Sequence, residues 1–222
     1  TLVDVGYWPV DMISDDSVIY WKCFLYFDGD YSVIPMYVTV SLDVATEKAI
    51  IPTIIKQYKQ KRRWAWGVEN FPYLMMGFIK NKNIPLHKKI RRGFHLFESH
   101  YTWAVWAIIV TFIAPLPLIF GGGIFRQTTM GYSLPSVAAA LFRITTLTLF
   151  ICMLMSIRLL PPRPKDVKPQ KKLVMFTQWF LAPLLAAFVG STPAIDAQTR
   201  LMFGKYMHFH VTEKIRHGVT TN

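Results

Sequence analysis

Cysteine is scarce in this 222-residue chain: Cys23 and Cys152 are the only two. One stands in a mixed polar and apolar stretch and the other inside an apolar run, so a disulfide framework does not organise the molecule. Acidic residues are also few, 13 against 25 Lys and Arg, which leaves a formal net charge of +12. The cations are not evenly spread. Lys80, Lys82, Lys88, Lys89, Arg91 and Arg92 precede one apolar run, and Arg158, Arg163, Lys165, Lys168, Lys171 and Lys172 separate the next two. Basic clusters beside apolar spans are the positive-inside pattern and attract anionic headgroups, which makes the lipid bilayer an expected partner. No nucleic-acid-binding motif accompanies them, so nucleic acid is not an expected partner. Neither His95 with His100 nor His208 with His210 has a third ligand at a useful spacing, so no metal site is expected from them. The chain shows neither an initiator Met nor a signal peptide. It opens at Thr1 inside a patterned segment and is expected to be the C-terminal part of a longer protein.

What the chain has in quantity is apolar length, with 52% hydrophobic residues. Residues 102–120 (TWAVWAIIVTFIAPLPLIF) carry no charge and are long enough to cross a bilayer of about 30 Å. Pro115 and Pro117 would kink one end, which membrane helices tolerate. The loop over residues 121–133 holds only Arg126 and reads as the outer side. Residues 144–160 form a second expected span. Arg143 at its outer end either snorkels to the interface or serves a polar channel. A transporter core is disfavoured because no internal repeat or matched pair of broken helices is visible. Residues 173–190 are broken by Pro183. Arg200, Lys205, Lys214 and Arg216 favour keeping the following tail inside, so an interfacial or re-entrant helix is expected.

Ahead of the spans, residues 1–70 read as the closing part of an α/β domain. Ser14-Asp15-Asp16 precedes a helical pattern over residues 18–27, which Asp28-Gly29-Asp30 ends as a turn. Residues 31–40, rich in β-branched and aromatic side chains, read as extended chain with a break at Pro35. The pair Asp15-Asp16 has two readings: a helix cap, or a carboxylate able to take a proton from an attacking hydroxyl.

The run Gln57 to Gly67 packs four cations and two tryptophans around Gln60-x-x-Arg63-Trp64. A guanidinium grips phosphate oxygens through parallel hydrogen bonds, an indole offers a flat face to a sugar, and an amide both donates and accepts. The alternative is a basic amphipathic helix at a membrane surface, with tryptophan at headgroup level. The chain ends on Phe209-His210-Val211-Thr212-Glu213-Lys214.

Taken in order, Asp15-Asp16, Gln60-x-x-Arg63-Trp64, two spans and Phe-x-Val-Thr-x-Lys resemble the membrane-integrated family 2 glycosyltransferases, the cellulose, mannan and hyaluronan synthases. The resemblance implies a GT-A-like α/β domain followed by an α-helical membrane region. Residues 1–70 would belong to the catalytic part and 71–101 to an amphipathic interface segment. Residues 102–195 would form the membrane region and 196–222 a cytoplasmic gating tail. It implies Asp16 as general base, with Asp15 beside it in the substrate site and Ser14-Asp15 departing from the family's Thr-Glu. Gln60 and Arg63 would hold the diphosphate and acceptor end, Trp64 would stack under the acceptor sugar, and Phe209, Val211, Thr212 and Lys214 would close over the nucleotide. It further implies inverting transfer from a nucleotide-sugar donor to a growing glycan at the cytoplasmic face of the plasma membrane. The divalent Mg or Mn would be bound by an N-terminal half lacking here, so the isolated chain would be inactive. Two spans are few for a channel, which implies further helices, a homo-oligomer or a secretion partner. The alternative is a non-catalytic membrane protein whose basic interface helix binds anionic lipid or a partner.

Overall fold

The computed structural model describes residues 1–38, 40, 47, 49–113, 115–159 and 169–207. Every regular element among them is helical, so the fold is all-α and the α/β expectation for residues 1–70 is overturned. Residues 31–40 show the physical reason. Val33, Ile34, Met36, Tyr37, Val38 and Val40 are exposed, and no ladder forms among the described residues. β-branched and aromatic side chains favour extended backbone, but a strand needs a neighbour to take up its N–H and C=O groups.

The described residues divide into two compact units, one drawn from 1–106 and 188–222 and the other from 107–187. In the first, α1 (Asp15–Tyr26) packs on α3 (Asn70–Lys80) through Trp21, Phe24, Leu74 and Phe78, with Ile84 and Leu96 closing the cluster. Phe24 meets Phe78 edge-on, with ring centroids 6.3 Å apart. Each fully buried side chain of this size contributes about 1.5–3 kcal/mol. Asp28 and Gly29 turn the chain after α1 with φ of 52° and 81°. A Cβ on Gly29 would meet Ile84 at 3.2 Å in that left-handed conformation, so glycine is required. Asn81 and Asn83 donate to the Asp28 carboxylate at 2.7 and 3.0 Å and hold it below the usual carboxylate range.

A second cluster joins α2 (Ile50–Ala65) to α10 (Thr192–Met202) through Ile13, Ala65, Trp66, Ala104, Ala194 and Ala197. Ala194 and Ala197 keep α10 close to the fully buried Trp66 indole.

Three cations of the first basic cluster turn inward. Lys89, on α4 (Leu86–Ile108), donates to the carbonyls of Phe78 and Asn81 at 2.7 and 2.6 Å, satisfying the C-terminal end of α3. Lys88 donates to Gly29 O at 3.1 Å, and the Arg92 guanidinium lies 5.7 Å from the Phe24 ring centroid. Exposed charge on this hairpin is carried by Lys80, Lys82 and Arg91.

Among the described residues, two helices are long and apolar enough to cross a membrane: Leu86–Ile113 (28 residues) and, in the second unit, α7 (Thr129–Leu159, 31 residues). At about 1.5 Å per residue both exceed a hydrocarbon core of about 30 Å. The first begins well before its uncharged run, because the basic amphipathic turns from Leu86 are helical too, and α7 takes in the charge-free residues 129–142 ahead of Arg143. Between them, α5 (Leu116–Phe120) restarts after Pro115, and α6 (Gly122–Gln127) occupies what the sequence reads as loop. Along α7, Leu141, Phe142, Ile144, Leu147, Phe150, Ile151 and Leu154 are exposed. The hydroxyls of Thr145, Thr146 and Thr148 donate to the carbonyls four residues back at 2.8–2.9 Å, so they need no outside partner. Residues 169–191 run through α8 (Pro169–Thr177), a tight turn, α9 (Ala182–Leu185) and a wide turn rather than one long helix.

Candidate functional site

Helix α2 carries two opposed faces. At about 100° per residue, Gln60, Arg63 and Trp64 share one side, while Tyr58, Arg62 and Ala65 share the other. The second side is structural. Tyr58 and Arg62 donate to Asp196 Oδ2 at 2.9 and 2.8 Å, and Arg200 donates to Asp196 Oδ1 at 2.6 Å. Burial alone would raise the Asp196 carboxyl. The donors outweigh it and hold the group below the ordinary range. This clamp fixes α2 on α10 and sets the direction in which the first side points. There, Gln60 and Arg63 are half-buried and the Trp64 indole is 55% exposed, whereas Trp66, two residues on, is fully buried. An exposed indole beside a buried one is available to a ligand at little cost to the core.

The chain leaves α2 through a tight 3-10 turn, Trp66–Glu69, whose last residue organises the site. Glu69 is 5% exposed. Its Oε1 accepts from the Ser14 amide at 2.9 Å and the Ser14 hydroxyl at 2.7 Å. Its Oε2 accepts from Trp66 Nε1 at 3.1 Å and from the Tyr206 hydroxyl. Four donors fill both oxygens of a buried carboxylate, which is the condition under which burying one is tolerated. Burial first, and the bond to Glu69 second, push the Tyr206 phenol up to about 12. Beside this node, Asn70 Nδ2 donates to Ser17 Oγ at 2.7 Å.

The turn that starts α1 is thereby held against the C-terminal end of α2. Ser14 occupies the N-cap position but makes no side-chain cap bond, because its hydroxyl is spent on Glu69. Asp15 caps in its place: its Oδ1 accepts from the Asp16 amide at 3.0 Å. Asp15 is half-buried and Asp16 is exposed. The structure thus joins Ser14, the neighbour of Asp15 and Asp16, to the turn that follows the helix bearing Gln60, Arg63 and Trp64. Phe209, Val211, Thr212 and Lys214 lie outside the described residues, as do His208 and His210. The last described segment, residues 203–207, reaches Glu69 through Tyr206.

Among the described residues, no group of three His, Cys, Asp or Glu gathers as a metal site. Asp28, in the one Asp-x-Asp pattern ahead of the spans, is taken up by Asn81 and Asn83. These side chains do not fit a divalent ion.

Glu69 and Asp196 were not legible as site residues. The available signal for Glu69 is its isolation: it is the sole acid between Glu47 and Glu98, in the most basic part of the chain. Asp196 has no comparable mark. No family model, curated protein or solved structure matches the chain.

Proposed function

We propose that this chain supplies the acceptor side of a membrane glycosyltransferase, moving a sugar from a nucleotide-sugar donor to a growing glycan with inversion. The observation that carries the reading is the Ser14–Glu69 junction. It sets an exposed carboxylate turn against a helix end that presents a guanidinium, an amide and an exposed indole. In this reading Asp16 takes the proton of the acceptor hydroxyl as it attacks the anomeric carbon in line, and the nucleoside diphosphate leaves. Trp64 offers its face to the acceptor sugar, and Gln60 and Arg63 grip the diphosphate and acceptor end. Phe209, Val211, Thr212 and Lys214 close over the nucleotide and exclude water. The cytoplasmic face of the plasma membrane and Mg or Mn held by other residues complete the proposal. Two helices able to cross a bilayer support its membrane setting.

The test uses the membrane-bound protein with a panel of nucleotide sugars. Asp16→Asn should abolish acceptor-dependent release of nucleoside diphosphate while leaving donor binding intact, and full turnover by that variant would end the reading. Trp64→Ala should raise the KM for acceptor more than it lowers kcat.

The second reading is a non-catalytic protein that binds anionic lipid. It is favoured by the stripe Leu86, Ile90, Phe94, Phe97 and Tyr101 on α4, all exposed, with Lys82 and Arg91 exposed nearby. It predicts that Asp16 and Gln60 are individually replaceable, and that affinity for phosphatidylglycerol vesicles follows Lys82 and Arg91.

A further inference from the structure

We infer that Glu69 is a positioning residue: its buried carboxylate fixes the Asp16 turn against α2 and, through Tyr206, ties the root of the C-terminal tail to the same point. The inference rests on the glycosyltransferase reading and deepens it. Three segments far apart in sequence converge on one side chain. Ser14 gives two donors to Oε1, while Trp66 and Tyr206 give one each to Oε2. Only a carboxylate fits this set. All four partners donate, and a carboxylate accepts at both oxygens. A Gln amide of the same shape would turn its NH2 toward one donor pair, so it can keep the Ser14 side or the Trp66–Tyr206 side but not both.

A purely structural carboxylate would be expected to anchor the core alone. Glu69 instead bonds the residue two positions ahead of Asp16. Its place is therefore directly behind the proposed base. It touches neither the donor nor the acceptor in this account. It acts through the geometry of the residues that do.

The experiment compares wild type with Glu69→Gln, Ser14→Ala and Tyr206→Phe in the intact membrane-bound protein, by hydrogen exchange and by transfer kinetics. Glu69→Gln should speed exchange of the Ser14 amide or of the Trp66 indole N–H roughly tenfold, according to which side its NH2 faces, with the amides of the middle of α1 unchanged. It should lower kcat by about tenfold or more, with the KM for donor within about twofold, since misplacement of a reacting group costs rate rather than binding. Ser14→Ala leaves the carboxylate in place and should give the same pattern at smaller size, so the proposal stays testable if Glu69→Gln fails to accumulate. Tyr206→Phe, which leaves Oε1 and its two Ser14 donors in place, should leave Ser14 exchange unchanged. Unchanged exchange at both Ser14 and the Trp66 indole in Glu69→Gln, together with unchanged exchange at position 14 in Ser14→Ala, overturns the proposal. So does faster exchange with unchanged kcat, in a protein where Asp16→Asn abolishes transfer; the glycosyltransferase reading then survives alone. Turnover that persists in Asp16→Asn overturns the reading and this inference with it.

Discussion

The two units solve the problem of polar groups in opposite ways. The first gathers them. Glu69 and Asp196 each collect donors from several elements, so residues separated by 55 to 138 positions are fixed to one another by hydrogen bonds. The second satisfies them in place: threonine hydroxyls on α7 return to their own helix, and the outward surface is Leu, Ile, Phe and Met. A network across elements can position reacting groups, because it sets distances between parts of the chain. A helix that needs no partner for its polar atoms can face lipid. The network that the proposed chemistry needs lies in the first unit, whereas of the two helices long and apolar enough to cross a membrane one starts in the first unit at Leu86 and the other lies in the second.

The contrast is tested most severely by the two tryptophans at the end of α2. Trp66→Ala should cost about 3–5 kcal/mol in unfolding measurements, since it removes a fully buried indole. Trp64→Ala should change stability by less than about 0.5 kcal/mol, its indole being exposed. Equal losses would erase the distinction between core and ligand-facing indole. In the second unit, Leu147→Arg should disfavour membrane insertion by about 2.5–3.5 kcal/mol in a glycosylation-mapping assay. Thr146→Val should leave insertion unchanged or slightly improved.

A smaller effect is expected at the α2–α10 clamp, where the Asp196 and Arg62 side chains remain 23% and 22% exposed. Asp196→Asn should cost about 1–2 kcal/mol, between the values for surface and buried pairs. The smallest effects follow pH. The Asp28 and Asp196 carboxyls sit below their ordinary range, so the stability they add is complete above about pH 4 and is lost as pH falls through their lower folded values. Tyr58 and Tyr206 are raised, so their contribution is complete below about pH 10 and fades as pH rises, over the interval up to about 12 for Tyr206. Thermal unfolding across pH 3–12 should show both edges, and Tyr206→Phe should remove part of the alkaline one.

Local signals in the sequence were legible where structure is local. Ser14-Asp15-Asp16 and Asp28-Gly29 bracket α1 as their chemistry implies, although Ser14 gives its hydroxyl to Glu69 and leaves capping to Asp15. Residues 102–113 of the first expected span sit in one long helix, which ends ahead of Pro115, and residues 144–159 of the second lie inside α7. Residues 31–40 misled because propensity for extended backbone carries no information about a pairing neighbour. Lys88, Lys89 and Arg92 misled for a related reason: a cation in a basic cluster looks available to lipid until its carbonyl or ring partner is known. In the site, the grouping of Gln60, Arg63 and Trp64 follows from helical spacing alone. The link between the Ser14 turn and the end of that helix does not, because it depends on Glu69, whose partners lie 55 residues back and 137 ahead.

The measurement closest to the central claim is a double-mutant cycle between Ser14 and Glu69 in the intact protein, read by unfolding free energy. If the carboxylate turn and α2 are joined as described, Ser14→Ala and Glu69→Gln together will cost less than the sum of the two alone, with a coupling of about 1 kcal/mol or more. Additive losses would mean that the two segments are stabilised independently, and the site would fall apart into two unrelated motifs.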